Sequence, residues 1–370
     1  MQVEEKYMLR CLELAQAGKS SVAPNPIVGA VIVHKGHIIG EGYHRQYGGA
    51  HAEVNAICCV SDKTLLRDST LYVNLEPCAH RGKTSPCTDL IIQKQIPRVV
   101  VGCLDPFPQV AGRGVKRLCD AGVEVVTNVM KDEAIAINRF FMTAHTKQRP
   151  YIILKWAQSA DGYLDCIRKD ASEQPVQLSI PSTRRYVHKL RSEISAIMVG
   201  TNTAWLDNPS LTVRHWIGES PVRVFIDRTL RIPQSYHLLD GTTRTLIFTE
   251  KFKHEGTLKK ASCIARENVE YIQLDFSKSV VPQILRALYE RQLYSLLIEG
   301  GACLHKSFLD SGLWDELQIE TASEKLEFGV KSPVRTLSEI AYLQNNIDFL
   351  KNNSPKKSLP IISIYTCKNM

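Results

Sequence analysis

His51-Ala52-Glu53-Val54 and, further along, Glu76-Pro77-Cys78-Ala79-His80-Arg81-Gly82-Lys83-Thr84-Ser85-Pro86-Cys87 decide how the first part of this chain is read. One imidazole and two thiols are donors that Zn2+ prefers, and three protein ligands leave one tetrahedral corner open, as in catalytic rather than structural sites. His51 and Cys87 each fall where a helix opens, and helix N-termini favour anionic groups, which helps a thiol bind as thiolate. Thr70 to Leu75 reads as the strand between them. The competing reading is a closed site with His80 as fourth ligand. Cys58, Cys59 and Cys103 read as core residues.

Outward from this motif, helices and strands alternate. Val3 to Ala17 has helical spacing and stops at Gly18; Val28 to Val33 and Ile38 to Gly42 read as strands around Lys35-Gly36; Arg98 to Gly102 reads as another strand. Gly122 separates a further helix and strand, and Asp132 to Ala144 reads as a last helix. Thr146-Lys147-Gln148-Arg149-Pro150 is the strongest punctuation in the chain, so domains are expected at 1–147 and 150–370. After Pro150, strands are expected at Tyr151 to Trp156, Ala196 to Val199, Arg223 to Asp227, Leu246 to Thr249 and Ser295 to Glu299. Both halves are therefore layered α/β.

The 370 residues exceed one ordinary core, and 44% hydrophobic with 23% charged residues is a soluble globular composition with no apolar run long enough for a membrane span. The acidic start, Met1-Gln2-Val3-Glu4-Glu5-Lys6, lacks the features of a secretory signal, which places the chain in the cytoplasm. Eleven cysteines scattered over such a chain are reduced thiols or metal ligands rather than a disulfide scaffold. The net charge of +8 suits nucleic acid, but equally a phosphorylated substrate and cofactor, and the basic residues form no single stripe.

Zinc lowers the pKa of its water to about 7, so hydroxide is available to attack an amino-substituted ring carbon. Glu53, two residues from His51, can reach the same cavity without binding metal and can move a proton from the water to the leaving amine. His-x-Glu, then Pro-Cys and a second Cys, is the signature of zinc deaminases.

These segments, with Pro24-Asn25-Pro26-Ile27-Val28-Gly29, Gly42-Tyr43-His44 and Asp105-Pro106, closely resemble the bacterial bifunctional riboflavin-biosynthesis deaminase/reductases. The resemblance implies a cytidine-deaminase-like three-layer domain followed by a dihydrofolate-reductase-like α/β domain. It further implies zinc-dependent deamination of a diaminopyrimidinone ribosylamino phosphate, then NADPH-dependent reduction of the ribosyl to a ribityl chain. Asn25, His44, His80 and Lys83 would line the deaminase pocket, Lys83 offering a charge to phosphate. Phe107 stands where the family motif usually continues with Asn.

Beyond Pro150 the resemblance rests on Leu154-Lys155-Trp156-Ala157-Gln158-Ser159-Ala160-Asp161-Gly162, Val199-Gly200-Thr201-Asn202-Thr203, Asp207-Asn208-Pro209-Ser210-Leu211-Thr212-Val213-Arg214 and Ile298-Glu299-Gly300-Gly301. It implies that Lys155, Asp207, Arg214 and Glu299 bind substrate, with Arg191 a further phosphate contact, and that Lys155 and Asp207 assist protonation. Ser159, Asp161, Ser179, Thr203, Gly300 and Gly301 would lie along the cofactor, since paired glycines after a strand let backbone N–H groups approach phosphate. The family's Trp-Ile-Thr-Ser run is replaced by Gln177-Leu178-Ser179-Ile180, and its Pro-Lys-Leu block by Ser323-Glu324-Lys325-Leu326. Two competing readings follow: a deaminase whose second domain only binds or dimerises, and a nucleic-acid-editing deaminase. The expected partner is a small phosphorylated pyrimidine substrate, not nucleic acid or membrane, and the chain is expected to form a homo-oligomer.

Overall fold

The computed structural model describes residues 3–80, 85–107, 111–250 and 267–334, and the backbone of 347–350 and 361–367. Contacts divide the chain into two compact units, Met1–Gln148 and Arg149–Met370.

In the first unit, side chains of β1 (Gly29–His34) alternate between two interiors. Ala30 and Ile32 join Leu71 and Val73 of β3 (Ser69–Leu75) and Val99 and Val101 of β4 (Arg98–Cys103) in one. Val31 and Val33 join Tyr72 and Val100 in the other. α1 (Val3–Gln16) covers the second interior through Tyr7, Met8 and Cys11. α2 (Ala52–Cys59), α3 (Cys87–Gln93) and α4 (Arg113–Asp120) cover the first through Ala56, Ile91 and Leu118. The result is three layers, which explains why these strands are nearly continuous apolar runs.

The sheet runs β2-β1-β3-β4-β5, with β2 (His37–Tyr43) and β5 (Glu124–Val126) at its edges; β1 is antiparallel to both neighbours and β3, β4 and β5 are parallel. α2 lies directly on β2, because a Cβ at Gly42 would come within 2.3 Å of Ala56 N and 2.6 Å of Ala52 O. That close approach seats the helix that carries Glu53.

One expected element is two. In place of a single helix from Asp132 to Ala144, α5 (Lys131–Ile137) and α6 (Arg139–Lys147) meet at Asn138. The buried Asn138 amide accepts from Ile27 N at 2.8 Å and donates to Ile27 O at 3.0 Å, an anchoring role that holds its backbone out of helical geometry. A second correction concerns Cys58 and Cys59, which lie exposed at the end of α2, whereas Cys103 is buried as expected.

The second unit is built on nine strands in the order β11-β10-β9-β8-β12-β6-β13-β16-β15. These are β6 (Tyr151–Gln158), β8 (Ala196–Val199), β9 (Val222–Ile226), β10 (Thr245–Glu250), β11 (Val269–Leu274), β12 (Ser295–Gly300), β13 (Glu316–Thr321), β15 (Ile347–Leu350) and β16 (Ile361–Cys367). All pair in parallel from β11 to β13, and β16 and β15 add antiparallel. A ribbon of β7 (Tyr163–Asp165) and β14 (Val330–Lys331) stands apart. Leu154, Met198, Leu296 and Leu317 of the sheet pack with Ile284 of α9 (Val280–Glu290) and Phe308 of α10 (Ala302–Ser311).

The topology fixes where a ligand can enter. β8 continues through α8 (Thr201–Asp207) to β9 on one side, while adjacent β12 continues through α10 to β13 on the other. The connections part at the carboxyl ends of β8 and β12, the switch point at which open α/β sheets bind ligands. Among the described residues no helix is long and apolar enough to cross a membrane.

Candidate functional site

In the first unit, three segments converge. His51 caps the N-terminus of α2, Cys78 follows β3 through Glu76-Pro77, and Cys87 is the first residue of α3. His51 Nδ1 lies 3.2 Å from Cys87 Sγ and 3.6 Å from Cys78 Sγ, and the three donor atoms fall within 4.8 Å of one another. Bond lengths of about 2.3 Å to sulfur and 2.0–2.1 Å to nitrogen give a tetrahedron edges of roughly 3.5–3.8 Å, so the triangle fits zinc. Among the described residues the cluster has no fourth donor, and His80 is exposed and outside it.

The backbone sets this triangle. Cys87 N donates to Cys78 Sγ at 3.4 Å, and Thr88 N and Oγ1 both donate to Cys78 O at 3.2 Å, so the free amides at the start of α3 hold the loop. Hydrogen bonds from Cys87 and His51 pull the Cys78 thiol well below its ordinary range. Glu53, 3% exposed, has its carboxyl pushed above the usual range by burial, with His51 opposing.

Behind Cys78 sits a clamp that the motif concealed. Buried Glu76 accepts from four backbone amides, those of Asp105, Gly112, Gly114 and Val115, at 2.9–3.2 Å. It ties Asp105 and the start of α4 to the residue before Pro77-Cys78. Two residues beyond Asp105, Phe107 packs edge-on against His145, with ring centroids 5.0 Å apart. Asn25 and His44 are joined: His44 Nδ1 lies 3.0 Å from Ala50 O and Nε2 lies 3.2 Å from Asn25 Nδ2. A carbonyl only accepts, so Nδ1 carries the proton, Nε2 accepts from the Asn25 amide, and Asn25 Oδ1 remains as an acceptor. Lys83 lies outside the described residues.

The second unit holds a cavity of about 840 Å3 at its switch point. Lys155, Ser179, Arg191, Thr203, Asp207, Arg214, Glu299, Gly300 and Gly301 all border it. Gly301 has φ +98° and opens α10, and a Cβ on Gly300 would meet Thr203 Cγ2 at 2.7 Å. This bare turn lets α10 present its N-terminal amides to the cavity, a fit for the diphosphate of a dinucleotide.

Ser159 and Asp161, expected along the cofactor, do not border the cavity. Ser159 Oγ donates to Asp161 Oδ1 at 2.6 Å, and the Asp161 carboxylate accepts from Leu326 N and Glu327 N, so the pair closes a turn onto 324–327. Arg191 is bidentate to Glu299, at 2.9 and 2.5 Å, and also donates to Thr212 O. Its charge is thereby matched before any phosphate arrives. Burial raises the Glu299 carboxyl, but Arg191 and Lys155 outweigh it and hold the group below its usual range. Asp207 pairs with Arg168, which also bonds Asp165 at 2.8 Å.

Sequence reading missed Arg184. It lies in α7 (Pro181–Glu193) and borders the cavity together with Arg214, and neither has a carboxylate partner among the described residues. Its only signal was its position in the first turn of a basic helix.

Comparisons with known proteins agree with this geometry. Residues 1–103 match the family model "Cytidine and deoxycytidylate deaminase zinc-binding region", and residues 150–324 match "RibD C-terminal domain". The Riboflavin biosynthesis protein RibD of Aquifex aeolicus is 38% identical over 330 residues, covering 89% of each chain. That of Escherichia coli is 35% identical over 338 residues, covering 87% of this chain and 88% of the relative. The crystal structure of a diaminohydroxyphosphoribosylaminopyrimidine deaminase/5-amino-6-(5-phosphoribosylamino)uracil reductase from Thermotoga maritima superposes with a TM-score of 0.84 at 34% identity, over 99% of both chains. RibD of Acinetobacter baumannii gives 0.83 at 30% identity, over 98% of both. With a three-donor zinc site in one unit and a dinucleotide-type crevice in the other, the chain belongs to the RibD family of riboflavin biosynthesis, a zinc-dependent deaminase and an NADPH-dependent reductase on one polypeptide.

Proposed function

We propose that the first unit deaminates a diaminopyrimidinone ribosylamino phosphate to its uracil form and that the second reduces the ribosyl to a ribityl chain, with the residue roles that follow. The observation that carries this reading is the triangle of His51, Cys78 and Cys87 with buried Glu53 beside it. Zinc held there supplies Lewis acidity, which makes water a nucleophile near neutral pH. Glu53 takes the proton that water loses and delivers it to the departing amine, so that a ring C–NH2 and water become a carbonyl and ammonia. Its desolvated carboxyl is suited to both directions of transfer. Asn25 Oδ1 accepts from a ring N–H, and His44 fixes that amide rather than touching substrate itself.

In the second unit the chemistry that NADPH would supply when bound is a hydride for the sugar carbon. Gly300, Gly301 and Thr203 accommodate its diphosphate, Arg184 and Arg214 hold the substrate phosphate, and Arg191 braces Glu299 against the sugar hydroxyls. Lys155 and Asp207, both at the cavity wall, would assist protonation of the reduced sugar. The substrate in this reading is a small phosphorylated pyrimidine rather than nucleic acid, and the enzyme acts in the cytoplasm as a homo-oligomer.

The test is stoichiometry on the full chain loaded with zinc. Ammonia release and NADPH oxidation should be equal per substrate consumed. Ammonia without NADPH oxidation would remove the reductase half, and NADPH oxidation only of separately supplied deaminated intermediate would remove the deaminase half.

A further inference from the structure

Glu320, near the end of β13, is 1% exposed and does not border the cavity. Oε2 accepts from Ser179 Oγ at 2.7 Å and stands 3.5 Å from Lys155 Nζ, while Oε1 accepts from Thr183 Oγ1 at 2.6 Å. A carboxylate this far from water is costly unless it is both hydrogen-bonded and paired. Here the two hydroxyls and the ammonium meet both needs.

The arrangement is one-sided in a way that matters. Among the described residues Glu320 is the one carboxylate within 4 Å of the Lys155 ammonium; Glu299, on the cavity wall, acts on it only at longer range, and Lys155 itself borders the cavity. Glu320 thus pairs with Lys155 from outside the cavity lining. A lysine side chain is a flexible four-carbon stem, and an ion pair at its tip selects among the conformers the stem allows. Ser179 leads into α7 and Thr183 lies in its first turn, so the same carboxylate joins α7 to β6 and β13 at the wall of the site.

We propose that Glu320, seated by Ser179 and Thr183, is a positioning residue that holds the Lys155 ammonium in place for reduction. The inference rests on the reading of Lys155 as a reductase-site residue, and the experiment separates the two. Four full-length, zinc-loaded proteins are compared: the unaltered chain, Glu320→Gln, Lys155→Met and the double variant. Each is given the deaminated intermediate and NADPH.

Glu320→Gln should lower reductase kcat by about tenfold, since small displacements of a catalytic group carry losses of this order. Its KM for NADPH and its deaminase rate should not move. In the Lys155→Met background, Glu320→Gln should cost nothing further, because there is no ammonium left to place. Unaltered kcat in Glu320→Gln, or losses that multiply in the double variant, would overturn the proposal while leaving Lys155 in its role. A full reductase rate in Lys155→Met would instead reject the reading of Lys155 and the proposal with it. Should Glu320→Gln fail to bind NADPH, Ser179→Ala carries the same comparison: a drop in kcat that depends on Lys155 supports the proposal, and one independent of Lys155 overturns it.

Discussion

His51 Nδ1 stands 3.2 Å from Cys87 Sγ, across 36 positions of sequence. Nothing local brings them together; two separate helix starts do. Cys87→Ala leaves two donors, and it should abolish zinc retention and lower the melting temperature of the first unit, because metal binding contributes to folding stability. Elemental analysis after dialysis checks this, and an unaltered metal content would remove Cys87 from the ligand set.

Glu53 is tested by keeping its shape and removing its chemistry. Glu53→Gln should hold zinc normally and lose deamination by about 100-fold or more, the range of a general acid–base contribution. Residual turnover near that of the unaltered enzyme would mean that the proton travels by another route.

Asn138 tests the anchor between α5 and α6. Asn138→Ala leaves the buried Ile27 N without its side-chain acceptor, while Ile27 O keeps the Asn74 amide at 3.2 Å, and should cost about 1–3 kcal/mol of stability in the first unit. Denaturant unfolding reads this directly, and a change under 1 kcal/mol would show that water takes over the bond to Ile27 N.

Acid stability of the second unit should fall for a definable reason. His305 is fully buried, neither ring nitrogen has a partner, and burial next to Lys155 lowers its pKa from 6.5 to about 3; burial and Arg191 lower His188 to about 4. Both groups are neutral when folded and charge more readily when unfolded, so stability is complete above about pH 6.5 and declines as pH falls toward 4. Each histidine contributes a slope of up to about 1.4 kcal/mol per pH unit in that window. His305→Leu should flatten the decline, and an identical slope would show that other groups set it.

Much of the deaminase site was legible because its donors are rare residue types in fixed local order, and because strands such as β3 and β4 are buried on both faces and read as unbroken apolar runs. Less was legible where function depends on pairing across the fold. The apolar spacing continues through Asn138, so periodicity hides the break that its amide makes. Arg191 was expected as a phosphate contact from the family resemblance, yet whether a guanidinium is open or already neutralised depends on Glu299, 108 positions away. Ser159 and Asp161 were read as cofactor contacts when local hydrogen bonds had already engaged them. Glu320 carried no signal at all, since a glutamate alternating with apolar residues in a strand acquires meaning only from Lys155, Ser179 and Thr183.

X-ray absorption at the zinc edge of the metal-loaded protein tests the central claim most directly. The account predicts two sulfur ligands at about 2.3 Å, one imidazole nitrogen at about 2.0–2.1 Å, and a fourth light donor that is exchangeable with solvent or inhibitor. A fourth ligand from the polypeptide, or a sulfur count other than two, would contradict it.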